Sequence, residues 1–226
     1  MLKLILGIIS SYLIGAIPFA YLFGRICKGI DIRKYGSGNV GATNAFRVLG
    51  PILGIAALLC DISKGFICPT LIANYAVNTI DSSWVLSFRI LLGVSAVCGH
   101  NWTLFLRFKG GKGVATSLGV IIGLAIIIAP LRIIILLTLV SWVLIFLGTG
   151  FVSLASISAA CLFPILNITF NTPKELLALS LGLCLFIILR HKSNIYRLLH
   201  KQESRFYPLK SLKTRLLAGW RWFGNL

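Results

Sequence analysis

The chain has 226 residues, of which 58% are hydrophobic and only 12% are charged. This composition excludes an ordinary soluble domain and indicates a polytopic membrane protein. The 22 Lys and Arg residues stand against five acidic ones, but they lie between apolar segments, which argues against a nucleic-acid-binding domain. The six cysteines show no CxxC spacing, so neither a metal site nor a disulfide framework is predicted.

Seven apolar runs, long enough to cross a bilayer as helices, follow one another along the chain. They predict an all-α membrane protein with helices at 3–24, 51–77, 84–98, 114–130, 131–148, 152–169 and 175–190. The first run has no small-residue cleavage site and is followed by basic residues, so we interpret it as a retained span rather than a signal peptide. The weakest boundary lies at Pro130, where two spans would meet in a very tight turn.

Most of the basic residues lie in the connections on one side of this predicted membrane arrangement. The bias predicts a cytoplasmic C-terminus and an N-terminus outside, and it places every unusual polar segment on the cytoplasmic face. We therefore interpret residues 1–203 as a single integral membrane domain with a site at that boundary. Residues 204–226 form a basic, Trp-containing tail that we expect to lie on the anionic inner leaflet.

The first polar segment, GSGNVGATN followed by Arg47, comes directly before the second apolar run. Its glycines free the backbone to point successive amide N–H groups at one anion, and it has no acidic residue. A flexible interfacial loop is the alternative, because Gly, Ser and Asn are common in turns. The favoured interpretation is an anion site whose candidate ligands are Gly36, Ser37, Gly38, Asn39, Gly41, Thr43, Asn44 and Arg47.

The second polar segment, GHNWTLFLRFKGGKGVAT, combines glycine-rich backbone with two lysines. The helix expected from Val114 would add the positive end of its dipole, so phosphate is the natural ligand. A nucleotide-hydrolysing P-loop is disfavoured, because Gly113 stands where Ser or Thr would follow the lysine. Lys112, between Gly111 and Gly113, is the better candidate ligand, whereas the charge bias of cytoplasmic loops explains Lys109 equally well.

Polar residues also lie near the ends of the last two spans. Ser153 and Ser156 are three residues apart, a spacing equally typical of small residues at a helix contact. His191 and Asn194 would share one helix face, where a polar stripe suggests a headgroup-sized ligand.

Ionisable residues inside a span are costly and usually paired. Asp61 and Lys64, three residues apart in the second span, are therefore predicted to form a supporting salt bridge. His100, which opens the second polar segment, is assigned to the same supporting group.

Four segments in order, GSGNVGATN with Arg47, GHNW with FKGGKGVAT, VSLASI, and RHKSNIYRLL followed by Glu203, match the signature segments of one family. The chain resembles the bacterial acyl-phosphate:glycerol-3-phosphate acyltransferases, the integral membrane enzymes called PlsY, as far as about Phe206. It departs from them at Thr103, where proline is common, and at Lys201, where glycine is frequent.

The resemblance implies a seven-span protein of the bacterial cytoplasmic (inner) membrane with its active site on the cytoplasmic side. It implies transfer of a fatty acyl group from acyl phosphate to the 1-hydroxyl of sn-glycerol 3-phosphate, giving 1-acylglycerol 3-phosphate and phosphate in phospholipid biosynthesis. No cofactor, metal or nucleic-acid partner is expected. A membrane transporter of a phosphorylated metabolite is the alternative function, and a non-catalytic scaffold that binds anionic lipid is a third.

For this reaction no covalent nucleophile is required, because an acyl phosphate is already an activated anhydride. The hypothesis assigns catalysis to Ser37, Lys112, His191 and Asn194, and substrate binding to Gly111, Gly113, Ser153 and the residues of the first segment. A histidine followed five residues later by Asp, typical of soluble acyltransferases, is absent. Asp61 is expected to lie too deep in its span, so a phosphate oxygen of the substrate is the favoured proton acceptor and His191 the second choice.

Overall fold

A computed structural model describes residues 1–206 of the protein, and within that range it contains helices and turns but no strand. The α-helices are α1 (Leu2–Ala16), α2 (Phe19–Lys28), α3 (Ala42–Leu49), α4 (Pro51–Ile67), α5 (Ala73–Ala76), α6 (Ser82–Asn101), α7 (Val114–Leu124), α8 (Pro130–Thr149), α9 (Val152–Thr169), α10 (Lys174–Arg190) and α11 (Lys192–Leu199). Shorter helical turns lie at Ile32–Lys34, Cys68–Ile72, Val77–Thr79 and Leu104–Leu106. The all-α prediction is confirmed.

Four helical segments of the described range are long and apolar enough to cross a membrane: Pro51–Thr79, Ser82–Leu106, Pro130–Thr149 and Val152–Thr169. The number rises to six if two bent pairs, α1 with α2 and α10 with α11, each count as one span. Helix α7 is apolar but has 11 residues, roughly 16 Å of helix, which is about half the hydrocarbon thickness. The number of seven spans and the orientation of the termini stay predictions.

Proline interrupts two helices that the sequence predicted to be continuous. The first bends by 44° between α1 and α2, because Pro18 has no N–H and its ring crowds the preceding turn. Pro18 deprives the Ile14 carbonyl, four residues earlier, of its helical donor, and that carbonyl accepts from the Ile17 amide at 3.2 Å instead. At the bend itself, the Ile17 carbonyl accepts a hydrogen bond from Lys64 Nζ at 2.9 Å. In the second, Pro69 lies in a π-helical turn, and its carbonyl accepts from Arg89 Nη1 at 2.6 Å. Charged side chains thus stabilise both breaks.

The predicted helix 114–130 ends early, at Leu124, and the chain turns through residues 125–129 before α8. Pro130 occupies the first turn of α8, where its missing N–H has no cost. Arg132 Nε donates to the Ala125 carbonyl at 3.2 Å, which satisfies a backbone group at the end of α7. The remaining predicted helices, 84–98, 131–148, 152–169 and 175–190, agree with α6, α8, α9 and α10 to within three residues at each end.

Close helix packing positions the polar segments. Helix α1 packs on α6, and α9 lies between α8 and α10. Helices α4 and α7 approach so closely that a Cβ at Gly65 would run into the Thr116 carbonyl, and one at Gly119 into the Ile62 carbonyl. Small residues allow such contacts, on which helix association in membranes depends. As a result, the start of α7 lies beside the C-terminal part of α4.

Candidate active site

One cavity of about 370 Å³ is bordered by all the polar segments that the sequence singled out. This volume is in the range of small-molecule sites. The predicted site residues that border the cavity are Ser37, Asn39, Gly41, Thr43, Asn44, Arg47, Asp61, His100, Lys112, Gly113, Ser153, His191 and Asn194. Gly36, Gly38, Gly111 and Lys64 are not part of its wall, but each lies within three residues of one that is. The rest of the wall is mostly apolar.

The Ser37 loop (residues 35–41) is held by one side chain of its own segment. The Asn44 side chain accepts from the Ser37 amide at 2.9 Å and donates to the Ile32 and Tyr35 carbonyls at 3.2 and 3.1 Å. Gly36 makes the turn between them, with a φ of 61° that favours glycine. Asn44, predicted as a ligand, thus makes its hydrogen bonds to the loop backbone and stabilises the loop conformation.

The backbone of the Ser37 loop differs from the expected row of amides aimed at one anion. The Gly38 amide donates to a loop carbonyl at 3.0 Å, and the Gly41 amide donates to Asn39 Oδ1 at 2.9 Å. Moreover, the segment predicted as a loop is helical from Ala42 onward. Thr43 lies in the first turn of α3, where amides have no partner within the helix. The Asn44 and Ala45 amides already donate to the Gly41 carbonyl. The groups available to an anion therefore include the Ala42 and Thr43 amides and the polar side chains of the loop.

The GGKG loop (residues 110–113) is held by residues distant in the sequence. The Gly111 amide donates to the His100 carbonyl at 3.0 Å. From the other side, the Arg190 guanidinium donates to the Gly110 and Gly111 carbonyls at 2.9 to 3.1 Å. Every one of these bonds uses the loop backbone, so the loop conformation depends on α6 and α10 being in place.

The Lys112 ammonium lies inside the cavity wall and donates to Asn194 Oδ1 at 2.6 Å. Burial lowers the pKa of Lys112 to about 8, although the nearby Glu203 carboxylate acts in the opposite direction. The side chain is therefore still mostly charged at neutral pH, and partial removal from water strengthens its attraction for an anion. Gly113 follows with a φ of 79°, and α7 begins at the next residue.

Glu203 connects two predicted ligands at one end of the cavity. Its Oε1 accepts from Ser153 Oγ at 2.7 Å and from Asn194 Nδ2 at 2.6 Å, and its Oε2 accepts from Arg197 Nε at 2.7 Å. Burial would raise the pKa of Glu203, but these hydrogen bonds outweigh it and lower the pKa. The ionised carboxylate turns the amide NH₂ of Asn194 toward itself, so the amide oxygen faces Lys112.

His191 is buried at the 60° bend between α10 and α11. Its Nδ1 lies 2.8 Å from the Ile187 carbonyl. Because a carbonyl can only accept, Nδ1 carries the proton of the neutral ring and Nε2 is the acceptor. This geometry suits a residue that holds a hydroxyl group or takes a proton from it.

Asp61, Lys64 and His100 form a buried group beside the cavity. Asp61 Oδ1 lies 2.8 Å from Lys64 Nζ, which confirms the predicted ion pair, and 3.5 Å from His100 Nδ1. Asp61 borders the cavity, and the expectation that it lies too deep in its span to act as the base stays a prediction. Its charge is nevertheless shared with Lys64, so it is not a free base. The His100 ring packs so closely on Gly111 that no side chain fits there.

A C-terminal strap (residues 203–206) crosses the cavity end next to Arg47. Arg47 Nη2 donates to the Ser204 carbonyl at 3.1 Å, and its guanidinium lies 5.9 Å from the centre of the Phe206 ring. The Phe206 amide donates to the Gly150 carbonyl at 2.7 Å. The first residues of the predicted 204–226 tail thus pack on the helical domain, and the part after 206 lies outside the described residues.

Sequence reasoning missed several residues of this arrangement. Glu203 was part of a matching segment but received no role, although an acidic residue in so basic a region is itself a signal. Arg190 and Arg197 belong to the matching segment RHKSNIYRLL but received no role of their own. Phe206 had no signal, because its role depends on a contact with α3.

The cavity has cationic and polar groups at one end and apolar walls at the other. This arrangement is typical of an integral membrane protein that acts on a molecule with an anionic head and a lipid-soluble tail. A family model described as glycerol-3-phosphate acyltransferase matches residues 5–201. The chain belongs to the glycerol-3-phosphate acyltransferase family and is an acyltransferase.

Individual relatives support this assignment over nearly the full chain. The chain is 44% identical to the glycerol-3-phosphate acyltransferase of Fusobacterium nucleatum over 88% of its length and 96% of the relative's. It is 41% identical to that of Aquifex aeolicus, over 91% of its length and 100% of the relative's. The structure is also similar to the crystal structure of PlsY, an integral membrane glycerol 3-phosphate acyltransferase, in its glycerol 3-phosphate form. The TM-score is 0.80 and the sequence identity is 38%, and the match covers 92% of this chain and 98% of the PlsY chain. The lysophosphatidic acid form has a TM-score of 0.77 and 37% identity, with the same coverage.

Proposed function

We propose that this acyltransferase moves a fatty acyl group from acyl phosphate to the 1-hydroxyl of sn-glycerol 3-phosphate. The observation that carries the proposal is a single cavity in which the Ser37 loop and Lys112 meet an apolar space between α7, α8, α9 and α10. An acyl phosphate has a head and a tail that match these two parts. The structures of the relative PlsY are in glycerol 3-phosphate and lysophosphatidic acid forms, which correspond to the acceptor and the product of this reaction.

The two phosphoryl groups would lie side by side, with Lys112 between them. The Ser37 loop and the first turn of α3 would hold the donor phosphate through Ser37, Asn39 and Thr43. Arg47, Ser153, His191 and Asn194 would hold glycerol 3-phosphate on the other side. Holding the two reactants in one geometry can contribute up to about 7 to 11 kcal/mol to lowering the barrier.

The reaction then needs one displacement. The 1-hydroxyl oxygen forms a bond to the acyl carbon, the bond from that carbon to the bridging phosphate oxygen breaks, and phosphate leaves with the electron pair. The hydroxyl proton passes to a phosphate oxygen of the bound substrate. Lys112 stabilises the negative charge that grows on the departing phosphate. The products are 1-acylglycerol 3-phosphate and inorganic phosphate.

The proton acceptor is tested with His191→Gln, which keeps a polar group in the same place. If the substrate phosphate is the base, the variant loses affinity for glycerol 3-phosphate but retains measurable kcat. Loss of nearly all turnover with unchanged glycerol 3-phosphate binding would instead make His191 the base.

We also place the protein in the bacterial inner membrane as seven spans, with α7 and both bent pairs each counted as one. The N-terminus would be outside, and the cavity end that contains Lys112 would face the cytoplasm. A fluorescent protein fused to the C-terminus should fluoresce, whereas periplasmic alkaline phosphatase fused there should be inactive. The opposite result would invert this topology.

The reaction itself is tested with purified protein in lipid, palmitoyl phosphate and glycerol 3-phosphate. Phosphate release should require both substrates and should match the acylated product in amount. Release without glycerol 3-phosphate would indicate a hydrolase. Uptake of labelled glycerol 3-phosphate into sealed vesicles without acylation would favour a transporter.

A further inference from the structure

The apolar part of the cavity follows one face of α9 down to a large side chain. Ser153, Ser156, Ala160 and Phe163 all border the cavity, and their spacing of three, four and three residues places them on one helical face. From the first to the last of them the helix rises roughly 15 Å. The path is thus lined by small residues and ends at Phe163.

Helices α10 and α7 show the same order of residues. On α10 the wall runs from His191 through Ile187 to Leu183, and on α7 it runs from Val114 to Ile121. These stretches rise roughly 12 and 10 Å along their helices. The polar ends of all three helices therefore lie at one end of the cavity, and bulky apolar residues lie at the other.

The bulky end of the cavity lies against packed core. Phe163 and Leu183 border the cavity and also belong to a cluster of buried side chains between α7, α8, α9 and α10. Phe163 is 5% exposed, and Leu124 and Leu131 behind it in the same cluster are fully buried. An acyl chain that entered from the polar end would meet these packed side chains at the apolar end of the cavity.

A hydrogen bond joins α8 and α9 along one side of the apolar path. Trp142 Nε1 on α8 donates to Ser156 Oγ on α9 at 3.1 Å, and both residues border the cavity. A chain that followed the cavity from Ser153 toward Phe163 would therefore pass the indole ring of Trp142.

A steric floor is the physical means of length selection available to an enzyme whose substrate dissolves in lipid. Lipid tails are as apolar as the protein wall, so each added methylene gains little when it moves from the bilayer into the cavity. Discrimination must come from chains that are too long to fit. In a shaped pocket one methylene can change specificity by about ten- to two-hundredfold.

We propose that Phe163, supported by Leu183, sets the upper limit on the length of the acyl chain that this enzyme transfers. The proposal rests on the proposed function and adds to it a residue that limits the length of the donor's acyl chain. Phe163 does not contact the reacting atoms; it acts on specificity alone.

The test compares kcat/KM for lauroyl, palmitoyl and arachidoyl phosphate in full-length protein in lipid. Phe163→Ala should raise the ratio of arachidoyl to palmitoyl transfer by about tenfold, and Phe163→Leu should raise it less. Ala160→Phe blocks the path nearer the polar end, so it should lower the ratio of palmitoyl to lauroyl transfer. Phe88→Ala is the matched control, because it removes an equally buried ring from a core cluster that does not border the cavity.

The outcomes separate this inference from the proposed function. If the unsubstituted protein releases no phosphate with any donor, the proposed function itself fails. If it is active but Phe163→Leu and Ala160→Phe keep its chain-length profile, the acyl chain leaves the cavity sideways into lipid. Phe163 then does not limit the length of the acyl chain. A Phe88→Ala profile shifted like that of Phe163→Ala would also overturn the inference, since general loosening would then explain both.

Discussion

The Ser37 loop and the GGKG loop both face the cavity, but they are stabilised in opposite ways. The Ser37 loop takes its hydrogen bonds from Asn44 and Asn39 in the same segment. The GGKG loop is held by His100 and Arg190, on two separate helices. The conformation of the first loop therefore depends on its own segment, whereas that of the second depends on contacts with α6 and α10.

The largest effect is expected at Lys112. Lys112→Ala removes the buried ammonium of the GGKG loop, and loss of one such stabilising group typically costs about 10² to 10³ in rate. Steady-state assays with palmitoyl phosphate should show this loss in kcat/KM without loss of folded protein. Lys112→Arg should restore activity only in part, because the guanidinium is larger and planar. Full activity of the alanine variant would remove the GGKG loop from the mechanism.

Asn44→Ala tests whether the Ser37 loop depends on its own segment. The substitution leaves the Ser37 amide and the Ile32 and Tyr35 carbonyls without their partner, and the bond to Ile32 is buried. We therefore expect the free energy of unfolding to fall by about 2 kcal/mol. Activity should fall by more than about tenfold, because the loop loses its shape. Thermal unfolding in detergent and donor KM would measure the two effects. A variant with normal stability and KM would mean that the loop is held from elsewhere.

Arg190→Gln tests the remote support of the GGKG loop. The substitution replaces the guanidinium, which donates to the Gly110 and Gly111 carbonyls, by a neutral amide. A hydrogen bond from a charged donor contributes about 1.5 to 3 kcal/mol to stability. We expect kcat/KM to fall by about tenfold or more. Arg132→Gln is the matched control, since Arg132 also donates to a backbone carbonyl, that of Ala125, but does not contact the GGKG loop. Equal losses in both variants would contradict a specific role for the loop.

The smallest effect is a pH dependence that follows from the burial of Lys112. Its pKa is lowered to about 8, so the ammonium is charged below that pH and loses its proton as pH rises through it. The value of kcat/KM, which reports the free enzyme, should therefore halve near pH 8 and fall further above it. In Lys112→Arg this alkaline limb should move to higher pH. A wild-type profile that is flat to pH 9 would show that the ammonium is not needed in charged form.

The helices themselves were largely predictable from the sequence. Helices α6, α8, α9 and α10 follow from apolar runs, because backbone in lipid must satisfy its own hydrogen bonds and the helix does so within one segment. The breaks at Pro18 and Pro69 were less visible. A proline shows where regular helical hydrogen bonding is interrupted, but not which distant side chain, here Lys64 or Arg89, donates to a backbone carbonyl at that point.

The candidate site was predictable in its members more than in their roles. Four polar segments were expected to share one boundary, and they border one cavity. The tasks of Asn44 and Glu203 depend on contacts that span from seven to fifty residues, and spacing along a helix or loop carries no information on such pairs. The specific catalytic and binding roles of these residues stay predictions.

From the residue pattern alone one can infer a helical, membrane-embedded protein with glycine-rich and basic segments outside the spans, because hydropathy and charge act on each segment separately. The contacts of Glu203 with Asn194, and the position of Phe163 at the apolar end of the cavity, are visible only in the folded chain. These relations arise from packing between helices distant in the chain. Packing depends on three-dimensional shape, which no local pattern of residues encodes.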